Sequence, residues 1–266
     1  MTSALVVTAD DLGLSPGVTA GIIDSHRRGV VRSTSLLVTF ETGEAAAAAG
    51  RAERDLEIGL HLDLVGGRPA ADPARVRSLV DSDGRFHRLP AFAARLLTGR
   101  IRPGELAAEV RAQVARARSW GIEPLAWDSH RHTHLMPLAS SVVGALAREH
   151  GVRWLRRAAP PPVAATAKAR LLGFATVAAR PFDRGLPGND WFVDLSALPR
   201  RADAAGVALL ATYPGLGEIA AHPAYPDEAL VDTGDTLVLR RHDDLMVLTD
   251  PLLRSALGDT VRWRAA

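Results

Sequence analysis

Short apolar runs rich in β-branched residues alternate with stretches of helical period along most of this chain, and that alternation constrains the fold more than any other feature. Residues 5–9 form one strand-like run; a polar, glycine-containing turn follows, then residues 17–28 with Val18, Ile22 and Ile23 at helical spacing. The order recurs, with strands predicted at 33–39, 57–64, 124–127 and 152–155 and helices at 43–51, 103–120 and 137–150. Repeated βα units build a parallel sheet whose chemistry gathers at the carboxyl ends of the strands. A doubly wound open sheet fits this order. Functional residues drawn from several separate strand ends suit an α/β fold of the distorted TIM-like (β/α) barrel type better, and that is the predicted architecture.

Two segments break the rhythm and are predicted as long loop excursions: residues 65–104, with Gly66-Gly67 and Asp83-Gly84, and residues 158–194, which open on three prolines at 160–162. The first should hold a short helix near 90–98. A length of 266 residues with 47% hydrophobic content suits a single domain over 1–266. No apolar run reaches the roughly 18 residues of a membrane span, and residues 1–10 lack the basic start and cleavage pattern of a signal peptide, so a soluble, cytoplasmic protein is expected. The formal charge is only +2, and the pI of 9.6 reflects arginine; Lys168 is the single lysine. The arginines are interleaved with acids, which argues against nucleic acid as a partner. The oligomeric state is open, a homodimer included.

With no cysteine in the chain, any metal must rest on His, Asp, Glu and water. Such side chains cluster at three strand ends: Asp10-Asp11; His61 and Asp63; and Asp128-Ser129-His130-Arg131-His132-Thr133-His134. Imidazoles and carboxylates are costly to crowd together without a cation between them, so the clusters point to one shared divalent ion and to hydrolytic chemistry. On an extended backbone Asp10 and Asp11 face opposite sides, one free for a metal and the other for a substrate water. Alone, either reads equally well as a helix cap or turn, and His61 alone is more often structural. In an extended segment His130, His132 and His134 share a face, and one or two of them can reach a single ion. Downstream, Glu218 and His222 follow a helix predicted at 200–212. A histidine ordinarily titrates near neutrality, which makes His222 a candidate proton donor to a leaving group. Asp190 and Trp191 are candidate pocket residues, Trp191 as an aromatic face for a sugar ring, although a core tryptophan is equally consistent.

These segments, in this order, resemble the YdjC-like carbohydrate deacetylases over residues 5–257. The resemblance rests on TADDLGLS at 8–15, GVVRST at 29–34, GLHL at 59–62, DSHRHTH at 128–134 and EIAAHP at 218–223. It implies a distorted β/α barrel, metal ligands at Asp11, His61 and His130, a general base at Asp10 and an acid at His222. His132, His134 and Glu218 are left to supporting or substrate-contact roles. Ala224 stands where the family usually has glycine, and Arg131 where histidine or glutamine is frequent; neither removes a ligand.

One divalent ion is implied. Nitrogen-rich ligation favours zinc, cobalt or nickel, whereas members of the family are often described with magnesium. The implied reaction is hydrolytic removal of an N-acetyl group from an amino sugar, such as a chito-oligosaccharide or a related glycoconjugate, by metal-activated water. Hydrolysis of an ester or phosphoester is the enzymatic alternative, and a sugar- or metal-binding regulator on the same fold is the non-catalytic one.

Overall fold

The computed structural model describes residues 4–161, 166–198, 203–258, 260 and 262–263. Its strands are β1 (Ala4–Leu12), β2 (Ser33–Leu36), β3 (Glu57–Leu62), β4 (Ala126–Ser129), β5 (Trp154–Leu155), β6 (Trp191–Asp194) and β7 (Leu216–Ala221). They pair in parallel in the order β5-β4-β3-β2-β1-β7-β6. The helices are α1 (Pro16–Arg28), α2 (Gly43–Ala52), α3 (Leu89–Leu97), α4 (Pro103–Ser119), α5 (Ala139–Glu149), α6 (Ala167–Asp183), α7 (Ala204–Leu210), α8 (Glu228–Asp232), α9 (Val238–Leu248) and α10 (Pro251–Leu257). In α1 the local signals agree. Ser15 accepts the Val18 N–H at its start, Pro16 opens the first turn, and His26, Arg27 and Arg28 end it.

The sheet curls, as expected of a distorted barrel. Val6 of β1, Ala126 of β4 and Trp154 of β5 meet in one buried cluster with Trp263, although two strands separate β1 from β4 in the sheet. Trp263 fills the floor where the strands begin. Gly59 of β3 makes room for it: a Cβ there would come within 2.8 Å of the Trp263 ring and 2.5 Å of the Ala126 carbonyl oxygen.

The expected excursion at 158–194 is corrected. Apart from residues 162–165, which lie outside the described part and include Pro162, it contributes a full α6 and the edge strand β6. A four-residue strand between a glycine- and proline-rich approach and a polar turn has too short a period to register. Arg200 and Arg201, placed in the predicted helix at 200–212, also lie outside the described residues; α7 begins at Ala204.

No ladder joins β5 to β6. At this seam the side chain of Asn189 substitutes for a strand, accepting the Arg157 N–H at 2.8 Å and donating to the Arg157 carbonyl at 2.6 Å and the Trp191 carbonyl at 3.0 Å. The Phe192 N–H adds a bond to the Ala159 carbonyl at 2.7 Å, and Leu172, Ala175 and Ala179 of α6 pack over Ala158 and Phe192. Asn189→Ala strands a buried N–H and two carbonyls. It is expected to lower stability by about 2–4 kcal/mol, read as a lower urea midpoint with an unchanged slope; an unchanged midpoint would mean that the seam is held elsewhere.

The excursion at 65–104 is tethered from beneath. Asp63, which looked like part of a ligand cluster, turns away from the barrel mouth and accepts the N–H groups of Val65, Gly66 and Gly67 and the Thr39 hydroxyl. Glu109 of α4 accepts from the backbone of Ala70 and Ala71, and Glu105 from Ser78.

Candidate metal centre and active site

The chemistry begins with an irregularity in β1. Its register with β2 shifts between Ala9 and Leu12, and Asp11 adopts φ 71°, a left-handed conformation that costs a non-glycine residue about 1–3 kcal/mol. Alternation is broken there, so Asp10 and Asp11 serve one site instead of facing opposite sides.

Asp11 Oδ1 lies 3.2 Å from Nε2 of His61 and 3.0 Å from Nδ1 of His130. These three atoms come from the ends of β1, β3 and β4 and converge within 4.8 Å of one another. The back of the His61 ring is braced, with Nδ1 2.7 Å from Asp128 Oδ1 and 3.0 Å from Ser35 Oγ. A carboxylate oxygen and two imidazole nitrogens, one ring held by a second carboxylate, make a donor set that could hold a divalent ion with a position left open. The other oxygen of Asp11 accepts from Arg241 of α9 at 2.6 Å. Burial pushes the Asp11 carboxyl up, but Arg241, His130 and the hydrogen bonds from both histidines outweigh it and hold the group well below the ordinary carboxylate range. Burial likewise pushes His61 down, yet Asp128, Asp11 and Asp10 hold it well above the ordinary histidine range.

Behind this triad sits a buried guanidinium. Arg156, just past β5, donates to both oxygens of Asp10 at 2.6 and 2.8 Å and to Glu218 Oε1 at 2.8 and 3.1 Å. Asp128 Oδ2 also lies 2.7 Å from its Nη2. Both hydrogens of that nitrogen already point to Asp10 and Glu218, so the Asp128 contact is ionic and not a hydrogen bond. Burial pulls the Arg156 group down, but three carboxylates around it more than compensate. Glu218 is fully enclosed, accepting also from the Thr8 hydroxyl and the Trp154 indole. Its place is under Arg156, out of reach of a substrate, and burial leaves its carboxyl raised despite that arginine.

The three histidines of the last cluster part company. Residues 130–135 form a 3-10 turn in which Arg131 and His132 both take positive φ, so the extended face expected for His130, His132 and His134 does not exist. His130 turns to Asp11. The His132 ring meets the edge of Phe192 at a centroid distance of 5.4 Å. His134 is buried between the Ser129 hydroxyl at 2.6 Å and the Arg156 carbonyl at 3.0 Å, and burial lowers it to about 4, which makes it a neutral structural bond. Across the mouth, His222 follows β7 with Nε2 4.0 Å from Asp10 Oδ2.

Asp190 and Trp191 are corrected as pocket residues, because both lie at the amino end of their strand, away from the site. Asp190 accepts the Leu216 N–H at 2.9 Å. Trp191 is buried, edge-on to Tyr213, and lies so close over Gly217 that a Cβ would come within 2.0 Å of its ring. Sequence reasoning missed Arg156, Arg241, Ser35 and the bracing role of Asp128. A charged residue closing the apolar run Val152 to Leu155 was the available signal for Arg156; Arg241, in a helix with mixed charge, offered none.

The profile of the YdjC-like protein family matches residues 4–259. A Brevibacillus brevis protein named carbohydrate deacetylase is 33% identical over 96% of this chain and 94% of its own length. A Serratia marcescens protein named chitooligosaccharide deacetylase is 32% identical over 97% and 96%, and a human protein named carbohydrate deacetylase 32% identical over 96% and 87%. A crystal structure from Enterococcus faecalis V583, of a protein named for cellobiose-phosphate cleavage, superposes with a TM-score of 0.84 over 99% of this chain and 98% of that one, at 25% identity. The match runs through every strand that feeds the site, and the chain belongs to the YdjC-like family.

Proposed function

We propose that the protein is a metal-dependent carbohydrate deacetylase that removes an N-acetyl group from an amino sugar. One observation carries the reading: three donor atoms suited to a divalent ion stand beside a carboxylate outside that set, Asp10, and a histidine 4.0 Å from it, His222. The names of relatives matched over nearly the whole chain give the substrate class its support.

Asp11, His61 and His130 would hold the ion. A divalent ion in such a site supplies Lewis acidity, polarising an acyl carbonyl and lowering the pKa of a water. Asp10 takes a proton from the attacking water as its oxygen bonds to the acyl carbon. A carboxylate has more lone pairs than Arg156 occupies, so Asp10 stays competent as an acceptor while the guanidinium fixes its plane. His222, protonated, gives its proton to the nitrogen as the C–N bond breaks, and acetate and a free amine leave. His130 and His222 are the more open members, each 14% exposed, whereas His61 and Asp10 lie deeper. Substrate therefore approaches from their side.

Purified protein with zinc or magnesium is expected to release acetate from N-acetylglucosamine oligomers and N-acetylated glycolipids. Acetyl esters and phosphoesters run in parallel separate this reading from another hydrolysis. No acetate from any N-acetylated substrate, with either ion, would defeat it.

A further inference from the structure

The acid side of the site holds more than His222. Its ring meets carboxylates from three elements: Asp10 of β1 at Nε2, and at Nδ1 both Asp194 of β6, 3.8 Å away, and Asp244 of α9, 4.0 Å away. Among the described residues, Arg156 pairs with Asp10, Asp128 and Glu218, Arg241 with Asp11 and Asp235, and Arg240 donates to the Ser196 carbonyl. Nδ1 itself is buried and makes no hydrogen bond, so its polar atom faces two acceptors at ion-pair distance. Hydrogen bonds of catalytic groups are often long before substrate is bound and tighten in the complex.

The two acceptors differ in what they fix. Asp244 Oδ2 accepts the backbone N–H of His222 at 2.8 Å, which sets where the chain delivers the ring. Burial raises the Asp244 carboxyl to about 6, against the pull of His222. Asp194 is set by its own turn. The N–H and hydroxyl of Ser196 both donate to Asp194 Oδ1, at 3.0 and 2.6 Å, and that oxygen is the one nearest the His222 ring. Those two bonds hold Oδ1 in place without using His222.

Resting on the reading of His222 as the acid, we propose that Asp194, locked by Ser196, is the positioning residue of the reaction: it takes the Nδ1–H of His222 and directs Nε2 at the departing nitrogen. Asp244 anchors the main chain alongside. A carboxylate at Nδ1 selects one tautomer and stabilises the charged ring, the form that must be present before a proton can be given up at Nε2. After transfer the ring is neutral and keeps its Nδ1 proton on Asp194.

Nitrogen-15 NMR of the histidine rings tests this on the full chain with zinc, without reference to turnover. In the unaltered protein neutral His222 is expected to carry its proton on Nδ1. Asp194→Asn should mix the tautomers, read as intermediate shifts at both ring nitrogens. Ser196→Ala, which keeps the carboxylate but removes the hydroxyl bonded to it, should mix the tautomers less, and Asp244→Asn should leave the tautomer unchanged. In assays of acetate release, Asp194→Asn should lower kcat by about 10–100-fold with KM nearly constant, and Asp194→Glu should recover part of the loss. A His222 ring unmoved in both Asp194→Asn and Ser196→Ala overturns the proposal, as does a tautomer that responds to Asp244→Asn alone. An NMR response as expected in a protein that releases no acetate keeps the pair and removes the deacetylase reading instead.

Discussion

Asp10→Asn is expected to lower kcat by about a hundredfold to ten-thousandfold, the range that a positioned general base contributes, with KM and metal affinity little changed. The asymmetry follows from the geometry. Asp10 is outside the converging triad of Asp11, His61 and His130, and the second grouping of donors, Asp10, His61 and Asp128, already faces the Arg156 guanidinium, so the proposed ligand set survives. An amide keeps the size of the side chain but cannot accept a proton, and it turns one donor toward Arg156, which holds both carboxylate oxygens. Breaking one partner of a buried ion pair costs about 3–5 kcal/mol, so thermal unfolding of the variant has to accompany the kinetics. A folded Asp10→Asn protein with full activity would remove Asp10 as the base.

Loss of the ion is expected to be as severe. Chelation should bring acetate release to background, and zinc or magnesium should restore it. Asp11→Ala should resist rescue at ion concentrations that saturate the unaltered protein, because it takes the proposed central ligand and also one of the two carboxylates that hold Arg241. Asp128→Asn should weaken the ion by a smaller factor, about 10–100-fold, the usual effect of removing a carboxylate behind a ligating histidine. The pH dependence has a definite sign. Without metal the neighbouring carboxylates keep His61 charged well above the ordinary histidine range. Binding must then expel a proton, so affinity should rise with pH. Calorimetry in buffers of different ionisation enthalpy measures that proton. An Asp11→Ala protein that bound metal as tightly as before would refute the ligand assignment.

Much of this site could be read from residue order, because a strand end places side chains by simple rules. His61 and His130 follow apolar runs that became β3 and β4, and each occupies the carboxyl edge as predicted. The rules failed where the backbone left ordinary conformations. The positive φ of Asp11, Arg131 and His132 redirects three side chains, and a propensity argument gives non-glycine residues no reason to adopt it. Partners supplied from far along the chain were equally hidden. Arg156 meets Asp10 across 146 positions and Arg241 meets Asp11 across 230, pairings that exist only once the sheet has curled. The strand β6 was missed for a different reason, since its four residues are too few to show a period.

That substitution at the seam has a dynamic consequence. Elsewhere each strand is held by a main-chain ladder, and parting two of them means breaking several bonds together. Between β5 and β6 side chains do much of that work: Asn189 on both sides of the gap and the Arg157 guanidinium on Asp183 and the Leu186 carbonyl, with the Leu155 and Phe192 N–H groups bonded to the Pro187 and Ala159 carbonyls. The barrel is therefore closed along one line largely by side chains, with Arg156 on one side and Asp194 on the other. Opening along that line would need Asn189 and Arg157 to let go together, and it would part Arg156, which holds Asp10, from Asp194, which lies beside His222, while β1 and β7 stay paired.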